Sequence, residues 1–167
     1  MIKKLNSLFV TMIGLGRIRF MPGTFASLMT TIILFNFFHV LKISPNIILL
    51  YLIIIFIYSF YAISNYIKNT VNKDPNEIVI DEFLGQSIPI YLYEISHNTI
   101  KESDSAIVYY SIIFILFRFF DILKPFPVSY FDKNFKNTFG VIFDDICAGF
   151  YVVLTLVCFM VIKNYLL

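Results

Sequence analysis

The chain has 167 residues, 59% hydrophobic and 14% charged, with a mean hydropathy of +0.80. A soluble domain carries about 45–50% apolar and about 25% charged residues, so the composition argues against a soluble protein and for one membrane domain over 1–167. A formal net charge of +2 is too small to mark a nucleic-acid binder, and nothing in the composition calls for an obligate protein partner.

In chain order, Lys3, Lys4, Arg17 and Arg19 surround a short apolar run that ends in Gly14-Leu15-Gly16. That run meets no small-residue cleavage site, so it does not read as a removable signal peptide. Pro22-Gly23 then interrupts any helix, and Thr24 or Ser27 can cap the next one. Apolar segment one is expected over about 26–41. It is short for a span unless its flanks snorkel or the bilayer thins. Segment two, about 46–66, has no charge along its length and is the clearest spanning candidate. Asp74-Pro75-Asn76-Glu77 reads as a helix start, with Asp as cap, Pro in the first turn and Glu reaching back. The third helix is expected to run to about Glu94 and carries Asp81 and Glu82 two turns in. After a polar loop over 95–105, segment four covers about 106–123 and is stopped by Pro125 and Pro127. A short polar connection leads to segment five, about 144–162, which opens on Asp144 and Asp145. Cys147 and Cys158 lie in this last segment and are expected as small buried hydrophobes, poorly placed for a disulfide framework and without the partners of a zinc site.

The expectation is an all-α, membrane-embedded bundle of about five helices. With a cytoplasmic N-terminus and five crossings, Lys3, Lys4, Arg17, Arg19, Lys68, Lys73, Lys124, Lys133 and Lys136 fall inside. Only Lys42, Lys101 and Lys163 fall outside. Nine against three agrees with the positive-inside rule. The same parity puts Thr24, Asp81, Glu82, Arg118, Asp121, Asp144 and Asp145 near the cytoplasmic helix ends.

Charges at the ends of apolar segments are costly unless paired, liganded or able to reach water. Asp144 and Asp145 point about 100° apart on a helix, so one can bind a metal while the other orients a partner. Asp81 and Glu82 complete the oxygen-rich shell that a hard cation needs. Arg118 can fork two phosphate oxygens and Lys124 adds a point charge. The Pro22-Gly23-Thr24 turn offers N–H groups and a hydroxyl to an anion. Carboxylates for metal and cations for phosphate together point to metal-assisted phosphoryl chemistry. Blander readings stand beside these. Arg118 and Asp121, three apart, can form an intrahelical salt bridge, and Asp144-Asp145 at a helix start can simply favour its dipole. Arg17 and Arg19 read as topogenic, His39 and His97 lie at the opposite face, and Ala148-Gly149 permits close helix packing.

MPGTFAS, DPNEIVIDEFLGQ, FRFFDILKPFP and GVIFDDICAG, in this order and spacing, resemble the phosphatidylglycerophosphatase A family over about 14–151. The resemblance implies an all-helical, magnesium-dependent lipid phosphatase of the bacterial inner membrane, acting in phospholipid biosynthesis. It would convert phosphatidylglycerophosphate to phosphatidylglycerol and inorganic phosphate at the cytoplasmic face. Carried onto this chain, Mg2+ is expected on Asp144, Asp145 and Glu82, with Asp81 as ligand or support. Arg118, Lys124 and the Gly23-Thr24 turn are expected on the phosphomonoester. Asp121 or Asp81 would line up the attacking water, and an aspartyl-phosphate route stays open. The chain departs from the family's usual pattern at Met21 (Ala), Ala26 (Gly), Asn137-Thr138 (near a Gly-Gly pair) and Ile142 (Met). Two rivals are a CDP-alcohol phosphotransferase-like enzyme, whose Asp spacing within one helix–loop–helix block is not found, and a cation transporter. The latter would want its carboxylates near the bilayer midplane.

Overall fold

The computed structural model describes residues 2–68, 76–96, 103–135 and 137–166. Among them every regular element is helical: α1 (Ile2–Val10), α2 (Pro22–Phe35), α3 (Pro45–Lys68), α4 (Ile80–Ser96), α5 (Ser103–Leu123), α6 (Val128–Asn134) and α7 (Thr138–Leu166). A 3-10 turn, Leu15–Arg17, precedes α2, and a π-helical turn, Asn36–Val40, extends it. Four stretches are long and apolar enough to cross a membrane: Pro22–Val40, Pro45–Lys68, Ser105–Leu123 and Thr138–Tyr165. The chain is therefore a membrane-type helical bundle.

α4 is the exception among the five main helices, and its sequence explains why. Its 17 residues include Asp81, Glu82, Gln86 and Pro89, and its buried face is shielded by other helices rather than by lipid. It follows α2 from end to end. Glu82 lies beside Gly23 at one end, Gln86 Nε2 donates to Thr31 Oγ1 (3.2 Å) midway, and Glu94 pairs with His39 (3.2 Å) at the other. Its other side packs on α7. Pro89 has no N–H to offer the Gly85 carbonyl, and Gly149 of α7 packs directly against that carbonyl. A Cβ on Gly85 would in turn sit 2.5 Å from the Asp145 carbonyl oxygen and 2.9 Å from Asp145 Cβ. Close approach of these two backbones brings the carboxylates of α4 and α7 together.

This contact decides the sign of a substitution. Exchanging Gly for Ala inside a helix normally stabilises it by about 1 kcal/mol. Forcing a methyl into a packed backbone contact costs about 1–3 kcal/mol. Gly85→Ala is therefore expected to lower the thermal midpoint of the detergent-solubilised protein, and a midpoint at or above the parent value would contradict this packing.

Several boundaries differ from the sequence expectation. α2 begins at Pro22 rather than near Ala26, because Met21 takes a left-handed conformation (φ 50°) and its carbonyl accepts from Thr24 N and Phe25 N. Neither Thr24 nor Ser27 caps it; the Ser27 hydroxyl donates back to the Gly23 carbonyl (2.9 Å). α4 opens at Ile80, not in the DPNE stretch. Asp74 and Pro75 lie outside the described residues, as do Lys73, His97, Lys101 and Lys136. Glu77 instead accepts from the Tyr66 hydroxyl (2.8 Å) and faces Arg17 (3.8 Å). Val79 N–H donates to the Val10 carbonyl, holding 78–79 out of the helix. α7 starts at Thr138, so Asp144 and Asp145 are its seventh and eighth residues. The helix-dipole benefit fades within the first turn, so that reading of the pair does not apply.

Candidate active site

Four helix termini and α6 meet around a cavity of ≈ 370 Å³. Every site residue expected from the sequence lines it: Gly23 and Thr24 at the start of α2, Asp81 and Glu82 at the start of α4, Arg118, Asp121 and Lys124 at the end of α5, and Asp144 and Asp145 in α7.

One wall is acidic. Carboxylate oxygens of Asp81, Glu82 and Asp145 lie within 4.8 Å of one another. Asp81 and Asp145 are 8% and 4% exposed. Asp145 Oδ1 and Glu82 Oε2 are buried and have no hydrogen-bond partner among the described residues. Three carboxylates at this separation repel, and leaving buried acceptors unmatched is costly. A divalent cation with oxygen preference answers both demands, so the donor set fits a hard metal ion. Asp144 stands apart from this trio. Its Oδ2 accepts from Lys124 Nζ (3.2 Å) and its Oδ1 from the Asp145 N–H (3.0 Å).

The facing wall is cationic. Arg118 Nη1 contacts Asp121 Oδ2 at 2.8 Å and donates to Ser27 Oγ at 3.4 Å, which ties α5 to α2. The salt bridge foreseen from the three-residue spacing is thus formed. It engages only one edge of the guanidinium, because Arg118 Nε is buried without a partner among the described residues. The Thr24 hydroxyl is also buried without one. Thr24 N–H is taken up by Met21, so the hydroxyl is the donor this residue can offer an anion. Gly23 contributes space, since a Cβ there would collide with the Glu82 carboxylate.

Lys124 ends α5 in a left-handed conformation (φ 45°), uncommon for a side-chain-bearing residue. Its side chain reaches Asp132 Oδ1 at 2.5 Å as well as Asp144. Partial burial works against the ammonium, but the Asp132 hydrogen bond and the Asp144 and Asp132 charges outweigh it. Together they hold its pKa above the ordinary lysine value. Lys124 stays charged across the physiological range.

Asp132 and the α6 helix that carries it lie in the stretch expected as a short polar connection, so the helix is a difference from that expectation. The signal was present: Val128, Phe131 and Phe135 recur at helical spacing, and this face is buried or half-buried. Asn76 also lines the cavity. In total six carboxylates and two cations line it. An unaided phosphate dianion would meet net repulsion there, which again favours a bound cation.

The phosphatidylglycerophosphatase A family model matches residues 8–160. The chain is similar to phosphatidylglycerophosphatase A of Haemophilus influenzae, 33% identical over 156 residues covering 92% of this chain and 88% of that protein. A Bacteroides thetaiotaomicron protein, provisionally named a phosphatidylinositol-3-phosphatase, is 32% identical, with 83% of this chain and 82% of the relative covered. Phosphatidylglycerophosphatase A of Escherichia coli is 34% identical over a shorter stretch, 46% of this chain and 39% of its own. No solved structure matches.

Proposed function

The chain belongs to the phosphatidylglycerophosphatase A family, a family of phosphatases, and from that premise we propose that its cavity hydrolyses the terminal phosphomonoester of phosphatidylglycerophosphate. The products are phosphatidylglycerol and inorganic phosphate, and the step belongs to phospholipid biosynthesis in a bacterial inner membrane. The observation that carries this reading is the pairing of unmatched groups in one cavity. Asp145 and Glu82 present buried acceptors, while Arg118 and Thr24 present buried donors. A cation with a phosphate satisfies both sets at once; a neutral ligand would satisfy neither well.

In this reading Asp81, Glu82 and Asp145 would hold Mg2+, with Asp144 beside them. When bound, the ion would supply positive charge to the phosphoryl oxygens. Arg118 binds the phosphate through its free edge, Lys124 through its ammonium and Thr24 through its hydroxyl. Asp121 or Asp81 accepts a proton from the water that attacks phosphorus in line with the ester oxygen. The P–O ester bond breaks, and the leaving glycerol oxygen takes a proton from solvent. The carboxylate returns to solvent the one it accepted, so that one hydrogen of the water ends on phosphate and the other on the alcohol. A cavity at the ends of three candidate spans, those of α2, α5 and α7, would let the acyl chains stay in the bilayer. With the N-terminus inside, the excess of Lys and Arg near this end favours the cytoplasmic face.

Purified protein in mixed micelles with phosphatidylglycerophosphate and Mg2+ is expected to release inorganic phosphate. Phosphatidylinositol 3-phosphate, chosen because of the Bacteroides relative's name, is the comparison substrate. Release from the inositol lipid alone would replace the proposed substrate, and release from neither would remove the phosphatase reading of the cavity.

A further inference from the structure

Two large apolar side chains line the cavity and are also widely exposed: Met21, 46%, and Ile122, 65%. The other hydrophobic lining residues, Ile78, Val141 and Phe135, are buried or half-buried. Met21 precedes the first turn of α2 and Ile122 lies in the last turn of α5, two helices joined by the Arg118–Ser27 hydrogen bond. On each, the apolar residue lies three or four residues, about one turn, from a buried donor left unmatched among the described residues: Met21 from Thr24, and Ile122 from Arg118. Their chain neighbours Phe20 and Leu123 are exposed as well. Met21 holds its place in a left-handed conformation. A residue with a side chain takes that conformation only where its surroundings impose it.

We propose that Met21 and Ile122 form a lateral portal, through which the acylglycerol end of the lipid leaves the cavity toward the bilayer while its terminal phosphate stays inside. The assignment rests on the phosphatase reading of the cavity. It specifies the ligand further, as an amphiphile whose apolar part passes between α2 and α5. Continuity supports that choice of occupant. Both residues line the charged cavity, and they stand exposed at the ends of two candidate spans, Met21 just before one and Ile122 within the other. A polar rim would leave the acyl chains no apolar path from the cavity to the bilayer.

The test compares kcat/KM for phosphatidylglycerophosphate in vesicles with that for glycerol 3-phosphate, a water-soluble ester with the same terminal group. Met21→Asn and Ile122→Asn remove the apolar rim. Ile115→Asn, at an exposed position two turns deeper on α5, controls for a polar group facing lipid. The lipid-to-soluble ratio is expected to fall about tenfold in each rim variant, in proportion to lost apolar contact, and to stay near the parent value in Ile115→Asn. Turnover of the soluble ester reports that each variant is folded. A ratio unchanged in both rim variants, or lowered equally by Ile115→Asn, would overturn the portal while leaving the phosphatase reading intact. Parent protein that hydrolyses glycerol 3-phosphate and no phosphatidylglycerophosphate would instead overturn the substrate reading, and the portal with it.

Discussion

Excess chelator is expected to bring phosphate release by the purified protein down to background, and added magnesium to restore it. The motive is the Asp81–Glu82–Asp145 trio, with its two unmatched buried oxygens. With six carboxylates against two cations around the cavity, phosphate binding is opposed until positive charge is added. The loss is therefore expected in both kcat and KM. Calcium, larger and looser in its coordination, is expected to restore less. Full turnover in excess chelator would mean that protons, not a metal, reconcile these carboxylates.

Arg118→Lys is expected to raise the barrier by about 2–4 kcal/mol, roughly 30- to 1,000-fold in kcat, as for loss of one preorganised donor. The charge survives, and a lysine can still reach Asp121. What disappears is Nε, the buried donor that no group among the described residues uses, and with it the two-pronged grip on phosphate. The thermal midpoint is expected to change little, because the salt bridge to Asp121 is replaced rather than removed. A variant with parent turnover would reduce Arg118 to the intrahelical salt bridge seen at 2.8 Å.

Much of this site was legible because its residues stand out against their surroundings. Arg118, Asp121, Asp144 and Asp145 are charges inside or beside apolar runs, and any such charge calls for an explanation. The helices α3 and α5 were legible for a complementary reason, since long, largely apolar runs allow few alternatives. The start of α4 was misread because a good local capping sequence lost to tertiary contacts: Val79 is held by Val10, and Glu77 by Tyr66. Local propensity is a weak prior where backbone groups find partners elsewhere. Asp132 escaped notice because its role depends on the fold of a turn. Only the left-handed conformation of Lys124 and the short α6 bring the two side chains together. The division of labour between Asp144 and Asp145 was likewise invisible. Adjacent residues on a helix face different neighbours, and the sequence does not say which one faces Lys124.

The pairing of Arg118 with Asp121 on a single helix also bears on how the chain enters the bilayer. α5 carries its cation and counter-ion three residues apart, so it can leave the translocation machinery as a nearly neutral segment. α7 cannot do the same. Its two carboxylates have no cation near them on their own helix, and the one paired with Asp144, Lys124, is supplied by the turn after α5. Synthesis from the N-terminus makes that turn first. The chain thus produces the neutralising charge before the acidic helix that needs it.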